Sequence, residues 1–457
     1  METCSQQIAR FVSSLELGAV PPEVTAKAKL VFLDTLGVAL ASSTMDFGRM
    51  VCGVAERLGG APHSTVIGSR IRAAAPNAVL ANGTLAHGLD YDDTLEEAIV
   101  HTGCCAVTTA LAVGEEVDAS GAAVLEAAIA ATEVLCKVGL VAPGRFHARG
   151  FHPTAVCSTF GAAAAAGKLY RLSEPQWVDA LGLCGSQSSG IIEYLADGTW
   201  TKRLHPGWSA HAGVIATWLA AQGFRGPATV FEGRHGFYRC FGGPDDYDFR
   251  GLAELGRAWE TPRLTFKSYP CGSISHPYMD CALRLRQKHG LVPARIAEIV
   301  CRTAEGPVHR LWEPLESKRR PATSYGAKFS LPYSIAAILV RGRAGLEEFS
   351  EAAIRDPQIL ALAAKVRYEL DPSIDYPRHF SGHVRVVLDD GTVLEENQPH
   401  PRGGPEWPLP PEELQEKFRA NARLALPESR AERIIAAVSS LEELSSIREL
   451  TELLRAG

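Results

Sequence analysis

As far as Pro262, this chain consists of apolar segments of helical length that follow one another closely. The segment from 26 to 43 is apolar on every side, which is typical of a helix buried in a core. Alanine and glycine are frequent, as in Ala162–Gly167, so neighbouring helices can pack closely. The same pattern predicts further helices over residues 76–91, 104–117, 120–139, 154–170, 173–185 and 209–223. This part of the chain is therefore expected to form a large all-helical domain.

The pattern changes after this region, where alternating apolar residues and a hairpin signal indicate strands. Residues 295–303 alternate in the way that a half-buried strand does. Residues 383–389 and 392–397 flank Asp390-Gly391, a dipeptide that favours a tight hairpin. Helical segments are predicted among these strands, over residues 278–289 and 330–341. We expect a smaller α+β domain here.

Helices return after the proline-rich stretch 399–411, which fits a crossing between domains. Helical segments are predicted over residues 412–426 and 429–441, followed by a last one that ends at Leu454. The predicted fold is mainly α, with a large all-helical domain completed by the C-terminal tail and an inserted smaller α+β lid domain. The predicted boundaries are 1–262, 263–405 and 406–457.

Composition excludes several classes of partner. The net charge of the 457 residues is −6 and no long basic run occurs, which argues against nucleic acid or an anionic membrane surface. The most apolar segment, 121–141, carries Glu126, Glu133 and Lys137 and so does not suit a membrane span. The N-terminus lacks a secretory signal pattern, and the 11 cysteines are scattered without a CxxC pair. We expect a cytoplasmic protein with buried thiols and no membrane partner.

Two polar clusters lie in the apolar first part of the chain. Residues 82–94 read NGTLAHGLDYDDT, and His101 follows them. If this segment is helical, His87, Asp90 and Thr94 share one face, although aspartates at a helix C-terminus oppose the helix dipole. His152 lies at a predicted helix start, beside backbone N–H groups that favour anions. Each cluster also has a structural alternative. The first is then a solvated acidic helix end, and His152 is then a simple capping residue.

Two further clusters offer cations and hydroxyl groups. The segment 197–207 looks like a glycine-bounded loop in which Lys202, Arg203 and His205 lie close together. Such groups suit a carboxylate substrate, although an exposed basic turn is the alternative. The segment 266–276 lies near the predicted domain boundary. Its residues Lys267, Ser273 and His276 are candidates for closing over a ligand bound between the domains.

Familiar catalytic signatures are missing from the sequence. It contains no GxGxxG between a strand and a helix, no GxxxxGK[ST], no HExxH and no GxSxG. Acid–base residues and cations remain, a set that suits removal of a proton next to a carboxylate while lysine or arginine holds the developing charge.

At these residues the sequence resembles the MmgE/PrpD family, which includes 2-methylcitrate dehydratase, cis-aconitate decarboxylase and iminodisuccinate epimerase. The motifs that carry the resemblance are LVFLDTLGVALA, NGTLAHGLDYDDT, GFHPTAV, DGTWTKRLHPG, FEGRHGF, TFKSYPCGSISH and AKFSLPY. The resemblance implies a homodimer and a site between helical domain and lid, without metal or organic cofactor. By motif position, the family's site residues correspond here to Asp90, Thr94, His101, His152, Lys202, Lys267 and Tyr333.

The sequence departs from the family pattern at two places. Gly272 stands where cis-aconitate decarboxylase carries a site histidine, and His276 lies further along. The segment after DDT reads LEEAIVHTGCC, where relatives commonly have a histidine followed by Pro-Ser. Both departures weigh against decarboxylation.

The working hypothesis is a cofactor-independent hydro-lyase acting on a small di- or tricarboxylic acid such as 2-methylcitrate. Lys202 and Lys267, with Arg203, are expected to hold substrate carboxylates. One of Asp90, His101 or His152 would remove the α-proton, and another would protonate the departing hydroxyl. An epimerase of a dicarboxylic acid is the alternative, and a decarboxylase or a non-catalytic carboxylate-binding protein is less favoured. Lys202→Ala is expected to abolish activity with little loss of fold.

Overall fold

A computed structural model describes residues 2–456, and it is mainly helical, as predicted. The chain forms two compact units. The first contains the described residues up to Ile192, together with Thr201–Leu264 and the residues from Pro410 onward. The second contains Glu193–Trp200 and Thr265–Leu409. The sequence did not predict that Glu193–Trp200 belongs to the second unit.

The first unit begins with twelve helices and one very short antiparallel ladder. The helices are α1 (Cys4–Ser14), α2 (Pro22–Ser43), α3 (Asp46–Leu58), α4 (Ala75–His87), α5 (Gly103–Glu116), α6 (Gly121–Leu140), α7 (Arg145–Ala148), α8 (Pro153–Leu169), α9 (Glu174–Gln187), α10 (Thr201–Ala221), α11 (Phe237–Phe241) and α12 (Arg250–Ala253). The ladder pairs β1 (Ser64–Thr65) with β2 (Arg72–Ala73). Ser173 and Gln176 form a capping box at the start of α9, which satisfies backbone N–H groups that would otherwise lack partners.

Helix α10 packs on both α4 and α8 in the first unit. Their close approach depends on small residues. A Cβ atom on Gly83 of α4 would lie 2.7 Å from the Cα atom of Gly207 in α10, and one on Gly213 would lie 2.6 Å from the Cβ atom of Ala162 in α8. These distances are shorter than van der Waals contact, so larger side chains would force the helices apart.

Two local predictions are wrong, and both errors affect candidate site residues. Helix α4 ends at His87 instead of Tyr91, and Asp90 has a left-handed backbone with φ of 53°. His87, Asp90 and Thr94 therefore do not share a helix face. The segment predicted as a loop up to Gly207 is instead the beginning of α10, because packing on α4 and α8 sustains the helix even though Pro206 removes one helical hydrogen bond.

The second unit combines a four-stranded sheet with six helices. The helices are α13 (His276–His289), α14 (Val308–Leu311), α15 (Leu315–Arg319), α16 (Ser324–Ala327), α17 (Leu331–Arg341) and α18 (Pro357–Ala363). The strands are β3 (Ile296–Thr303), β4 (Val366–Leu370), β5 (Gly382–Leu388) and β6 (Val393–Gln398), in the order β4-β3-β5-β6. Strand β4 is parallel to β3, and the other neighbours are antiparallel. The predicted hairpin at Asp390-Gly391 joins β5 to β6. Helices α13 and α17 pack on each other, and α13 also contacts β5 and β6, which builds the core of this unit.

The C-terminal helices complete the first unit. They are α19 (Pro411–Ala422), α20 (Glu428–Ser439) and α21 (Arg448–Thr451). Helix α19 packs on α2, where Lys417 Nζ lies 2.6 Å from Asp34 Oδ1, and both side chains are buried. The prediction of an all-helical part completed by the C-terminal tail, with an α+β insertion, is therefore confirmed.

Two further expectations concern membrane-spanning helices and the burial of the cysteines. Within residues 2–456, no helix is long and apolar enough to cross a membrane. All cysteines except Cys240 are buried, which agrees with their interpretation as core residues.

The ion pair of Lys417 with Asp34 provides a stability test. Burial raises the pKa of Asp34 to about 6, although Lys417 lowers it. Lys417→Met leaves a buried carboxylate without its counter-charge, so we expect the free energy of unfolding at pH 8 to fall by about 3–5 kcal/mol. The native state then binds the Asp34 proton more tightly than the unfolded chain, so the deficit relative to wild type shrinks as the pH falls from 8 towards 6.

Urea unfolding at both pH values measures this effect. Lys29→Met is the matched control, since Lys29 pairs with the partly exposed Glu442 and its loss should cost at most about 1 kcal/mol. Equal losses in the two variants, or a deficit that grows on acidification, would contradict the expectation.

Candidate active site

A group of charged and polar side chains is buried where α4, α5, α8 and α10 meet in the first unit. Buried groups of this kind are rare unless they are paired or functional. The buried members are His87, Asp90, Asp92, Asp93, Thr94, His101, His152, Lys202 and Arg203. Most of them lie in the loop after α4 or at the start of a helix, where backbone geometry differs from that of a helix interior.

Asp93 anchors the loop between α4 and α5. Its carboxylate accepts hydrogen bonds from the backbone N–H groups of Thr102, at 3.0 Å, and Gly103, at 2.9 Å. These are N–H groups at the start of α5, where a negative charge interacts favourably with the helix dipole. Burial raises the pKa of Asp93, and the neighbouring Asp92 raises it further. Its hydrogen bonds indicate that Asp93 shapes the site.

Two imidazoles are oriented by this loop. His87 Nδ1 lies 2.7 Å from Asp92 Oδ2, and both side chains are fully buried. His101 Nδ1 lies 2.8 Å from the backbone oxygen of Asp93 and 3.1 Å from Thr94 Oγ1. Because a carbonyl oxygen can only accept, His101 Nδ1 carries a proton, and Nε2 of the neutral ring is left with its lone pair.

Two more imidazoles complete a histidine cluster, which we define as His87, His101, His152 and His205. His152 is the N-cap of α8, and its Nδ1 lies 3.1 Å from Nδ1 of His205 in α10. The ring centroid of His87 is 4.7 Å from that of His101 and 5.6 Å from that of His152. The cluster therefore gathers four proton-accepting side chains in one buried place.

Burial favours the neutral form of three imidazoles of the histidine cluster. Burial lowers the pKa of His152 well below its ordinary value, and Lys202 and the neighbouring imidazoles lower it further. Burial, assisted by His87 and Lys202, lowers the pKa of His205 to about 3. Burial also lowers the pKa of His87, against the opposing effect of Asp92. Near neutral pH these rings are bases that can accept a proton.

Lys202 and Arg203, the cations of the segment 197–207, lie in the first turn of α10 and are buried. Lys202 Nζ donates to Asp90 Oδ1, and Asp90 has a left-handed backbone in the loop after α4. The guanidinium carbon of Arg203 lies 4.2 Å from the ring centroid of Phe47, a cation–π contact. Lys202 therefore forms a buried ion pair within the site.

Four predicted site residues belong to the second unit. Lys267 is fully buried, and Ser273 begins a short 3-10 turn before α13. His276 Nε2 lies 3.3 Å from the backbone oxygen of Cys271. The hydroxyl of Tyr333 donates to the backbone oxygen of Glu348 at 2.6 Å, and burial raises its pKa. Their roles in substrate binding or catalysis stay predictions.

The histidine cluster also has the spacing of a cation site. One ring nitrogen of each of His87, His101 and His152 lies within 4.8 Å of the other two, and His87, Asp92 and Cys104 form a second such group. His87 and His101 each direct Nδ1 to a protein oxygen, and the charge of Lys202 lowers the pKa of His87 and His152. A positive charge that disfavours imidazolium also disfavours a bound cation, and the expectation of a site without metal stays a prediction.

The sequence analysis named His87 and His205 within their clusters but gave neither of them a role in the proposed reaction, and it gave no roles to Asp92 and Asp93. A signal was present in each case, since His87 and the aspartates lie in the quoted motif and His205 lies three residues after Lys202. What the sequence could not supply is the pairing, because the partners of Lys202 and His152 lie 112 and 53 residues away.

The buried pair of Lys202 and Asp90 changes the expected outcome of Lys202→Ala. Removal of the lysine leaves Asp90 buried without its counter-charge, so we expect a loss of about 3–5 kcal/mol in the free energy of unfolding as well as a loss of turnover. Adding Asp90→Asn to Lys202→Ala should restore most of the stability and none of the turnover. Thermal unfolding and turnover of a carboxylic-acid substrate measure the two effects, and Lys168→Ala, which removes the partner of Glu126, is the control. Recovery of turnover in the double variant would rule out a role for Lys202 in catalysis.

The lowered pKa values of His152 and His205 predict that both rings stay neutral in mildly acidic solution. We expect their Cε1–H proton resonances to keep neutral-form positions from pH 8 to about 5.5. His152→Asn and His205→Asn assign the signals. The unfolded chain binds these protons below about pH 6.5 and the folded chain does not, so this effect lowers stability as the pH falls. A normal titration near pH 6.5 for either ring would contradict the expectation.

Comparison with known proteins identifies the family of this chain. Residues 6–250 match the model of the MmgE/PrpD N-terminal domain, and residues 269–443 match that of the MmgE/PrpD C-terminal domain. Cis-aconitate decarboxylase of Homo sapiens is 28% identical over 474 residues, which cover 100% of this chain and 95% of that protein. Cis-aconitate decarboxylase of Aspergillus terreus (strain NIH 2624 / FGSC A1156) is 27% identical, covering 98% of this chain and 95% of that protein.

A similarity of smaller extent links the chain to the mitochondrial 2-methylcitrate dehydratase of Yarrowia lipolytica. That protein is 25% identical over 334 residues, which cover 69% of this chain and 61% of the dehydratase. Both family models match, and together they extend over both structural units, so the chain belongs to the MmgE/PrpD family.

Proposed function

We propose that this chain is a lyase that decarboxylates cis-aconitate or a close tricarboxylic analogue. The observation that carries the proposal is the buried histidine cluster beside the ion pair of Lys202 with Asp90, in a chain similar from end to end to cis-aconitate decarboxylases. This replaces the hydro-lyase as the leading hypothesis, because the similarity to the dehydratase covers less of the chain.

The chemistry needs one place for negative charge and one source of a proton. Loss of CO₂ from the carboxymethyl arm of cis-aconitate breaks a carbon–carbon bond and leaves its electron pair on an allylic carbanion. That pair is delocalised into a neighbouring carboxylate, and protonation at the far allylic carbon gives a methylene diacid. Lys202 is a buried cation of the first unit that can stabilise the enolate-like intermediate, since a preorganised charge in a buried site costs no reorganisation.

The proton comes from an imidazole that becomes charged when the substrate binds. The imidazoles are bases in the free protein, where burial and Lys202 disfavour their charged forms. A substrate with three carboxylates reverses this balance, because a nearby negative charge raises the pKa of a histidine. One imidazole of the histidine cluster then holds a proton and gives it to carbon after CO₂ leaves.

A hydro-lyase is the second candidate, and a specific observation favours it. Gly272 stands where cis-aconitate decarboxylase carries a site histidine, and neutral imidazoles are suited to removing an α-proton. The carbanion beside a carboxylate is common to both reactions, so the same cation serves either one. An epimerase shares this intermediate as well and would return the proton to the opposite face.

Proton NMR in D₂O separates these reactions. We expect cis-aconitate to yield new vinylidene signals from the methylene diacid, with one solvent deuterium at the protonated carbon and release of CO₂. New alkene signals from 2-methylcitrate or citrate would establish a hydro-lyase instead, and deuterium exchange without net conversion, for example with iminodisuccinate, would establish an epimerase. His101→Asn is the inactive control, and His289→Asn, on the exposed end of α13, is the matched active control. If the wild type converts or exchanges none of these acids, the proposed function is wrong.

We also propose that the protein works as a homodimer in the cytoplasm. The side chains of Met50, Val54 and Leu58 support an interface, since they lie at four-residue intervals on α3 and are exposed. Light scattering on the purified protein tests the assembly.

A further inference from the structure

The proposed mechanism gives no particular role to the fully buried pair of His87 and Asp92. His87 is the last residue of α4, and its Nδ1 lies 2.7 Å from Asp92 Oδ2. Because Asp92 takes the hydrogen bond of Nδ1, the lone pair of the neutral ring is on Nε2. Nε2 is buried and has no hydrogen-bond partner among the described residues. A buried nitrogen left unpaired is costly, so its retention calls for a functional reason.

The geometry places this lone pair within the histidine cluster. The His87 ring is stacked on that of His152, at 30° and 5.6 Å between centroids, and lies 4.7 Å from that of His101. One ring nitrogen of each of the three residues lies within 4.8 Å of the other two, a separation that one water molecule or a small rotation can bridge. His87 is fully buried, whereas His101 is 6% exposed, so substrate would meet His101 before His87.

The charges around His87 differ from those around His152. Asp92 and Asp90 favour the charged form of the His87 ring, against burial and Lys202. Around His152, burial, Lys202 and the three other imidazoles all oppose the charged form. His87 thus has a carboxylate in direct contact that can stabilise an imidazolium.

We propose that His87, held by Asp92, is the proton reservoir of the site: it takes up the proton that accompanies substrate binding and passes it to carbon through His101 or His152. This inference rests on the proposed function. The transfer is balanced, because His87 Nε2 gains one proton from solvent when the tricarboxylate binds and releases that proton when the carbanion forms. His87 acts through another imidazole, so it is a positioning residue and Asp92 holds it in place.

Proton uptake on binding tests this inference without any turnover. The probe is tricarballylate, a saturated tricarboxylate that has neither a double bond nor a hydroxyl group to eliminate. Calorimetric titration at pH 7.5 in buffers of different ionisation enthalpy gives the number of protons taken up, which we expect to be about one for the wild type. His87→Asn keeps an amide N–H that can reach Asp92 and removes Nε2, so its uptake should fall close to zero.

Asp92→Asn provides a second variant that keeps the imidazole and removes its carboxylate. We expect its proton uptake to fall as well, and the alkaline limb of its kcat profile to move to lower pH, because the imidazolium loses its counter-charge. In both variants kcat should fall about 10²-fold or more, while KM changes much less. His289→Asn, exposed on α13, is the matched control and should behave as wild type.

The outcomes separate this inference from the proposed function. Uptake that persists in His87→Asn, or wild-type binding without uptake, overturns the reservoir and leaves the decarboxylase proposal intact. Conversion of cis-aconitate by the same wild-type preparation tests the decarboxylase proposal on its own. A purely structural role would lower stability without moving the alkaline limb or the proton count, and that result would also overturn the reservoir.

Discussion

The candidate site depends on the close approach of two helix backbones. At Gly83 of α4 and Gly207 of α10 there is no room for a Cβ atom on either side. This contact brings the first turns of α10, with Lys202 and His205, beside the end of α4 and the loop that follows it. A larger residue at either glycine would move α10 away, and the pairs of Lys202 with Asp90 and of His205 with His152 would be lost together. The packing of small residues in the core is thus a condition for the chemistry.

The three aspartates of the loop after α4 each have a different partner. Asp90, in a left-handed conformation, meets Lys202; Asp92 meets His87; and Asp93 meets the start of α5. Placing three carboxylates within four residues is unfavourable for a helix C-terminus, which explains why α4 ends before them. The acidic run therefore supplies the counter-charge that lets Lys202 be buried in an apolar unit and the hydrogen-bond partner that orients His87.

The fold was predictable where apolar segments are long, and local errors arose where packing decides. Helices α2, α5, α6 and α8 were predicted from runs of apolar residues, because such runs leave the chain few other ways to bury its side chains. The start of α10 was mistaken for a loop, since Pro206 and Gly207 are breaking signals and nothing local reveals the contacts with α4 and α8 that override them.

The candidate site was predictable in composition but not in connectivity. Asp90, His101, His152 and Lys202 were chosen from their motifs, and the structure brings all four into the first unit. That Lys202 is paired with Asp90 could not be inferred, because ion pairing between distant residues depends on tertiary packing. His87 was given no role in the reaction for the same reason, since only the structure shows that Asp92 holds it.

The arrangement also explains how one site can support more than one reaction in a family. The free protein keeps imidazoles neutral because burial and Lys202 oppose their charged forms, and neutral imidazoles remove protons. A substrate that brings three negative charges changes that balance and turns an imidazole into an acid. Citrate-like acids and cis-aconitate carry the same number of carboxylates, so the direction of proton transfer depends on where the reacting carbon lies relative to the imidazoles. The residues of the shared cluster need to change little for the reaction to change, so positions at which this chain departs from the family motifs, such as Gly272, carry more information about the reaction than the shared cluster does.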